Sequence, residues 1–347
     1  MNEGLQKENG VHPTRLAPDM LVQMHDLMLK ARLLEERLIK MQKQGDGYFW
    51  IGGPGEEAFN VALGLLVHKG EGPEFDYCHF HYRQSATLLA LGADPVDSIR
   101  QMKSVATDPY SGGRNFCNHF AIRKWNVVPV SSPIEVQYAM APGTAIANKR
   151  AGGRGITIVT GGDAGTAEGE FASCLIWSSR PANPLPVLMI VTNNQYGIST
   201  PAGEQHGEKR IADRGKAFGI ETATVDGNDP ETAYRAIKQA MDYVRTERKP
   251  FLLEAMVSRL YGHSSSSGAN FITEEADCLA RLETTLETRG ILTRPHMDAL
   301  RERYTQEFLD ALKRVREEPV PDAKAVYQYV FADHDVVKPA VAPKGGR

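Results

Sequence analysis

Two short turns in this sequence carry oxygen ligands at a spacing suited to a divalent cation. The first is Gly161-Gly162-Asp163-Ala164-Gly165 and the second is Asn193-Asn194-Gln195-Tyr196-Gly197, with Asn194 31 residues after Asp163. Three glycines around one aspartate let the backbone approach a bulky anion closely, while the carboxylate offers a hard oxygen to a metal. The amide and backbone oxygens of the second turn are equally hard. Magnesium prefers octahedral oxygen coordination and takes few protein ligands, leaving the rest to phosphates and water. One Asp and one Asn on neighbouring strand ends meet that demand. Either turn alone is ordinary turn chemistry, and it is their pairing that points to a metal-assisted anion site.

For the two turns to meet, the elements before them must be neighbouring parallel strands. From Gly152 the pattern alternates: strand 156–160, helix 168–179, strand 187–192, helix 211–218, strand 221–225, helix 231–245 and strand 251–257. Strands alternating with helices predict an α/β fold, a parallel sheet flanked by helices on both faces. Ligands of such a sheet gather beyond the carboxyl ends of the strands, where both turns lie. Helical extensions flank this core at either end. Residues 17–45 place Leu21, Met24, Leu27, Met28, Ala31, Leu34, Leu38 and Met41 at helical spacing, with Asp19 as cap and Gly45 as stop; residues 274–317 read as charged amphipathic helices. No repeat and no Gly-, Ser- or Pro-rich linker divides the chain. The expectation is one domain over 1–347, with flexible tails at 1–16 and 335–347.

Three further segments carry candidate groups. Tyr82-Arg83 follows FDYCHFH, and an arginine fork suits phosphate because it bonds bidentately. Ser131-Ser132-Pro133-Ile134-Glu135 reads as a helix start, with Ser132 as cap, Pro133 at the first position and Glu135 closing a capping box. Arg259-Leu260-Tyr261-Gly262-His263, followed by four serines, comes just after the last strand.

With these segments in view, the chain resembles the thiamine diphosphate-dependent 2-oxo acid dehydrogenases, specifically the alpha subunit of their decarboxylating component. The stretch GGDAGTAEGEFASCLIWSSRPANPLPVLMIVTNNQYGIST resembles that family's cofactor motif, which begins GDG and ends NN. Two departures stand out: Ala164 replaces the third motif glycine, with Gly165 one place later, and SSRPANPLP holds a short insertion. The resemblance spans nearly the whole chain and implies a thiamine diphosphate-binding fold. It implies Asp163, Asn194 and the Tyr196 carbonyl as magnesium ligands. It places Tyr82, Arg83, Ser132, Ile134, Gly162, Asp163, Ala164, Gly165, Asn194, Tyr196, Gly197, Ile198, Arg259 and His263 around thiamine diphosphate. His263, Tyr82 and His119 become catalytic candidates, and Phe49, Tyr82 and His119 surround the substrate.

The SSP form of the 131–133 turn is closest to branched-chain members, so a branched-chain 2-oxo acid is the favoured substrate; pyruvate and acetoin dehydrogenase alpha subunits are the alternatives. Val136 stands where potassium-binding members carry threonine, so a potassium site is not predicted. Glu56, Glu57, Glu135, Glu168 and Glu170 lie nearest the motifs, but none matches the family's activating glutamate. The resemblance therefore implies a beta subunit that supplies it, an α2β2 heterotetramer, and acyl transfer to a lipoyl-bearing transacylase core. The stripe Ala139, Gly143 and Ala147 fits close approach of another helix.

Composition excludes little but is consistent. The 347 residues hold 40 Lys+Arg against 43 Asp+Glu, a net charge of −3, which gives no reason to expect nucleic acid or an anionic membrane as partner. The first twenty residues lack the apolar run of a secretory signal, and a cytoplasmic location is expected. Four scattered cysteines without a CxxC pair argue against a disulfide framework or structural zinc. A nicotinamide-dependent dehydrogenase would need a GxGxxG turn that is absent, and a non-catalytic regulatory paralogue would not need the intact set Asp163, Asn194, Arg83, Arg259 and His263.

Overall fold

The computed structural model describes residues 15–328 and residue 330; residues 1–14 and 335–347 of the expected tails lie outside them. Helices α1 (Pro18–Lys43) and α2 (Glu57–Leu66) precede strand β1 (Tyr77–His79), which is followed by α3 (Ser85–Leu91) and α4 (Pro95–Lys103). Then come α5 (Val136–Arg150), β2 (Thr157–Gly162), α6 (Gly169–Ser178) and β3 (Val187–Asn193). A small hairpin, β4 (Tyr196–Gly197) with β5 (Thr200–Pro201), leads to α7 (Asp213–Lys216), β6 (Glu221–Asp226), α8 (Pro230–Glu247) and β7 (Phe251–Met256). Helices α9 (Cys278–Thr288) and α10 (Arg294–Arg316) close the described chain.

The five long strands form one sheet in the order β1-β2-β3-β7-β6, every pair parallel. β3 lies at its centre and is buried along its whole length, which is why VLMIVTN can be almost wholly apolar. Alternate residues feed two cores. Ile158, Leu188, Ile190 and Leu253 face the core shared with α1, α2 and α8. Val159, Met189, Val191 and Leu252 face the other, filled by Tyr138, Ala141 and Ala145 of α5 and Phe171, Cys174 and Leu175 of α6.

Helix α1 buries the expected stripe, with Leu27 at its half-buried margin, but its inner face also carries Arg32 and Glu35. Arg32 bonds Glu57 at 2.6 Å and Asp277 at 2.9 Å. Glu35 accepts from Trp50 Nε1 at 2.7 Å, Ser85 Oγ at 2.5 Å and Asn118 Nδ2 at 3.1 Å. One buried carboxylate thus gathers two loops and the start of α3.

Three local expectations fail. Asp19 does not cap α1: Ala17 holds the cap position and Pro18 opens the helix, its missing N–H lost where no intrahelical bond was available. The helix expected at 211–218 shrinks to the single turn of α7. The capping box at 132–135 does not form, because α5 starts only at Val136 and Glu135 itself occupies the cap position in the left-handed region, φ 64°. The four cysteines are free and buried, as expected of structural thiols.

Candidate functional site

Parallel register brings the strand ends into line: Gly162 pairs with Thr192, and Thr192 with Ala255. The turns after β1, β2, β3 and β7 therefore converge on one edge. They deliver Tyr82-Arg83, Asp163, Asn194 and Arg259 to His263 into a common neighbourhood, around an open cleft of about 190 Å³.

The β2 turn tightens into a single 3₁₀ turn over Ala164–Ala167. Thr166 braces it, its N–H and hydroxyl donating to the Asp163 carbonyl at 3.0 and 2.6 Å. The Asp163 side chain is buried, and its Oδ2 has no hydrogen-bond partner among the described residues. Burial raises its pKa.

The two asparagines after β3 divide their duties. Asn193 donates to the buried Glu254 at 2.8 Å and accepts from Gln195, so it is spent on structure. Asn194 Oδ1 accepts only the Tyr196 N–H, at 3.1 Å, in an Asx turn. The hairpin beyond holds Ile198 at φ 57°, an outlier for a β-branched residue. Arg259 stabilises it by donating from Nη1 to the Ile198 carbonyl at 2.9 Å, and its guanidinium lies 4.9 Å above the Tyr196 ring. Arg259 Nε is buried and has no hydrogen-bond partner among the described residues.

Arg83 is buried, with Nη1 donating to the Gly52 carbonyl at 2.7 Å and Nη2 to His263 Nδ1 at 3.1 Å. Arginine has no acceptor, so Nδ1 of His263 is unprotonated and its proton sits on Nε2. Burial, then Arg83 and Arg259, push the His263 pKa down to about 4. The ring is a neutral hydrogen-bond donor. Its loop is ordered: Ser264 and Ser267 cap each other, and Ser265 N–H donates to the Trp50 carbonyl at 2.8 Å.

His119 is fixed in the opposite tautomer. Its Nδ1–H donates to the Cys117 carbonyl at 2.9 Å, and Nε2 accepts from Ser132 Oγ at 2.8 Å. Its ring lies 6.2 Å from Tyr82 and 4.4 Å from Phe116, which meets Phe49 edge-on at 5.1 Å. Phe49, Phe116, His119 and Tyr82 thus form a continuous aromatic chain leading toward His263, 6.4 Å from Tyr82.

The cleft wall contains Tyr82, Arg83, Ser132, Ile134, Gly162, Asp163, Ala164, Gly165, Asn194, Tyr196, Gly197, Ile198 and His263. Three expected site residues do not line it. Arg259 sits behind Tyr196 and Ile198, His119 behind Ser132 and Tyr82, and Phe49 further out along the aromatic chain. Sequence reasoning missed Ile51 and His81 in the wall, Phe116 beside His119, and the depth of two acids. Glu56 is buried with both oxygens unpartnered among the described residues, its Nε contact from Arg83 lying at 3.7 Å. Burial lifts its pKa to about 7, against the pull of Arg83. Glu135, read as a surface cap, is buried in the wall, and burial pushes it up to about 8. The run of glycines before Glu56 was the signal for it: Gly53 lies against the Arg83 backbone and Gly55, at φ 109°, against Ser258.

Buried polar atoms without partners are costly. Among the described residues, an oxygen of Asp163 in the cleft wall and, behind the wall, both oxygens of Glu56 next to Arg83 and the Nε of Arg259 make no hydrogen bond. Unpaired groups of both signs are what a bound cation with its anion would satisfy, so the residues present fit magnesium with a diphosphate.

The sequence profile of the dehydrogenase E1 component family matches residues 25–324. Over 90% of this chain and 95% of the relative, the sequence is 29% identical to the 2-oxoisovalerate dehydrogenase subunit alpha of Bacillus subtilis (strain 168). It is 27% identical to the mitochondrial 2-oxoisovalerate dehydrogenase subunit alpha 2 of Arabidopsis thaliana, over 91% of this chain and 67% of that protein. It is 26% identical to the mitochondrial 2-oxoisovalerate dehydrogenase subunit alpha of Homo sapiens, over 92% and 72%.

Proposed function

Since the chain belongs to the dehydrogenase E1 component family, we propose that it is the alpha subunit of a thiamine diphosphate- and magnesium-dependent enzyme that decarboxylates a branched-chain 2-oxo acid and passes the acyl group to a lipoyl group. The observation that carries this reading is the buried Asp163 carboxylate, its Oδ2 without a partner among the described residues, in one cleft wall with Asn194 of the next strand end and Arg83. The branched-chain preference rests on the SSP turn and on relatives named for 2-oxoisovalerate.

Thiamine diphosphate, when bound, supplies the carbon nucleophile and the electron sink for loss of carbon dioxide. Asp163, Asn194 and the Tyr196 carbonyl hold the magnesium ion. Arg83 and Arg259 bind the diphosphate through charge-assisted hydrogen bonds. Ile134, half exposed in the cleft wall, would offer the cofactor an apolar contact. Ser132, held by His119, borders the substrate side of the cleft, with Tyr82 and the Phe49–Phe116 pair shaping the room for the substrate side chain. His263 lines the cleft with its proton on Nε2 and would donate it as a hydrogen bond to a substrate oxygen.

The pyrimidine end requires a carboxylate from a second chain. Exposed Ala139, Met140, Gly143 and Ala147 on α5, beside exposed Ile176 and Trp177 on the neighbouring α6, support a beta subunit seated on that face in an α2β2 assembly. The chain works as one thiamine diphosphate-binding domain in branched-chain amino acid breakdown, in the cytoplasm, alongside a lipoyl-bearing transacylase core. No helix among the described residues is long and apolar enough to cross a membrane.

The test is co-expression with a beta chain and a decarboxylation assay over a panel of 2-oxo acids. The complex should turn over 2-oxoisovalerate with a higher kcat/KM than pyruvate, and the purified chain alone should turn over neither. Faster turnover of pyruvate would reassign the substrate. Turnover by a preparation shown by mass spectrometry to lack a second chain would refute the two-subunit reading, and Glu135→Gln would then be the first variant to test.

A further inference from the structure

Glu135 combines three unfavourable features. It is a non-glycine residue at φ 64°, its side chain is wholly buried, and its Oε1 has no partner among the described residues. Left-handed backbone at such a residue is strained and persists only where the surroundings over-determine it.

Those surroundings are the β2 turn. A Cβ on Gly161 would overlap the Glu135 carboxyl oxygens, and a Cβ on Gly165 would overlap Oε1, Cδ and Cγ. These two glycines bracket Asp163, two residues to either side, so the carboxyl is a wedge between the legs of the turn. On the far side a Cβ on Gly197 would meet the Ala164 methyl. The turn is therefore clamped by shape, Glu135 against Gly161 and Gly165, Ala164 against Gly197. This accounts for the motif's unusual order: the residue without a side chain must be at 165, where the wedge lies, and 164 can carry a methyl.

We propose that Glu135 is a positioning residue for the metal: wedged between Gly161 and Gly165, its side chain sets the direction in which Asp163 presents its carboxylate to the cation. This rests on the assignment of Asp163 to magnesium.

The experiment measures, by calorimetry on the complex with its beta chain, the magnesium concentration that half-saturates thiamine diphosphate binding, together with Tm. Glu135→Gln keeps the wedge and should stay within about threefold of the wild type. Glu135→Ala should raise the magnesium requirement by about tenfold or more, a change worth about 1.4 kcal/mol, with Tm little changed. Gly165→Ala should do at least as much through steric overlap, and Glu135→Ala/Gly165→Ala should recover most of the loss, a non-additivity expected only of residues in contact. A Glu135→Ala protein with the wild-type magnesium requirement overturns the proposal, even if Gly165→Ala alone does not fold; where it folds, a double variant as impaired as the product of the singles overturns it too. Asp163→Ala separates the two readings. If it leaves magnesium dependence intact, the metal assignment itself is wrong; if it abolishes that dependence while Glu135→Ala changes nothing, only the wedge is refuted.

Discussion

The two ends of one parallel sheet treat buried charge in opposite ways. At the N-terminal edge, Asp76 just before β1 is completely buried, and it accepts from His68 N–H at 2.8 Å, Ile156 N–H at 3.1 Å and both Nη atoms of Arg245 at 2.7 Å. At the C-terminal edge Glu56, Glu135 and Asp163 are as deeply buried, yet each leaves an oxygen without a hydrogen bond among the described residues. The same residue chemistry is satisfied where it holds strands together and left open where a ligand enters. An unsatisfied buried carboxylate is thus a better pointer to the site than burial or charge alone.

The contrast breaks most visibly in stability. Asp76→Ala strands Arg245 and two backbone N–H groups, and loss of one partner of a buried pair costs about 3–5 kcal/mol. Asp163→Ala removes a desolvated carboxylate whose Oδ2 has no partner among the described residues, and should leave the ligand-free protein about as stable as the wild type. Urea unfolding of both variants checks this, and equal destabilisation would erase the distinction between the edges.

Next in size are the cations that face the open carboxylates. Arg83→Ala and Arg259→Ala should each weaken cofactor binding by about 10- to 150-fold, the equivalent of about 1.5–3 kcal/mol for a charge-assisted hydrogen bond. Lysine should rescue only in part, because it lacks the planar fork. Normal binding in both alanine variants would move the phosphate site elsewhere.

The contrast between the edges was only partly legible in the sequence. The alternating run from β2 to β7 carries its own periodicity, so strands, order of elements and the exit turns could be read before any coordinates. Glu135 could not, because Ser132-Pro133-Ile134-Glu135 satisfies the local capping-box pattern while its carboxyl has a tertiary fate among Gly161 and Gly165. Phe116 and Glu56 escaped for a related reason. They lie in irregular segments without periodicity, and the loops around them are gathered by Glu35, a charged residue inside an otherwise apolar helix stripe.

Smaller effects sharpen the picture around the two histidines. Ser132→Ala removes the hydroxyl donor to His119 Nε2, a bond worth about 0.5–1.5 kcal/mol, so kcat/KM should fall by up to about tenfold. An unchanged value would detach Ser132 and His119 from the substrate. His263 should titrate by NMR in the cofactor-free protein with a midpoint near 4, against about 6.5 for an unfolded chain. Between those values the unfolded state binds the extra proton, so this group's contribution to stability is present above about pH 6.5 and lost as pH falls toward 4. A midpoint at the ordinary value would mean that Arg83 and burial do not act on the ring.

The claim that the open carboxylate edge is half of a magnesium–thiamine diphosphate site is tested most directly by the melting temperature of the complex with its beta chain, measured with and without both ligands. Ligands that bind only the native state add RT ln(1 + [L]/Kd) to stability. The wild type should gain Tm only when magnesium and thiamine diphosphate are both present, and Asp163→Ala should gain none. An undiminished gain in Asp163→Ala would contradict the account.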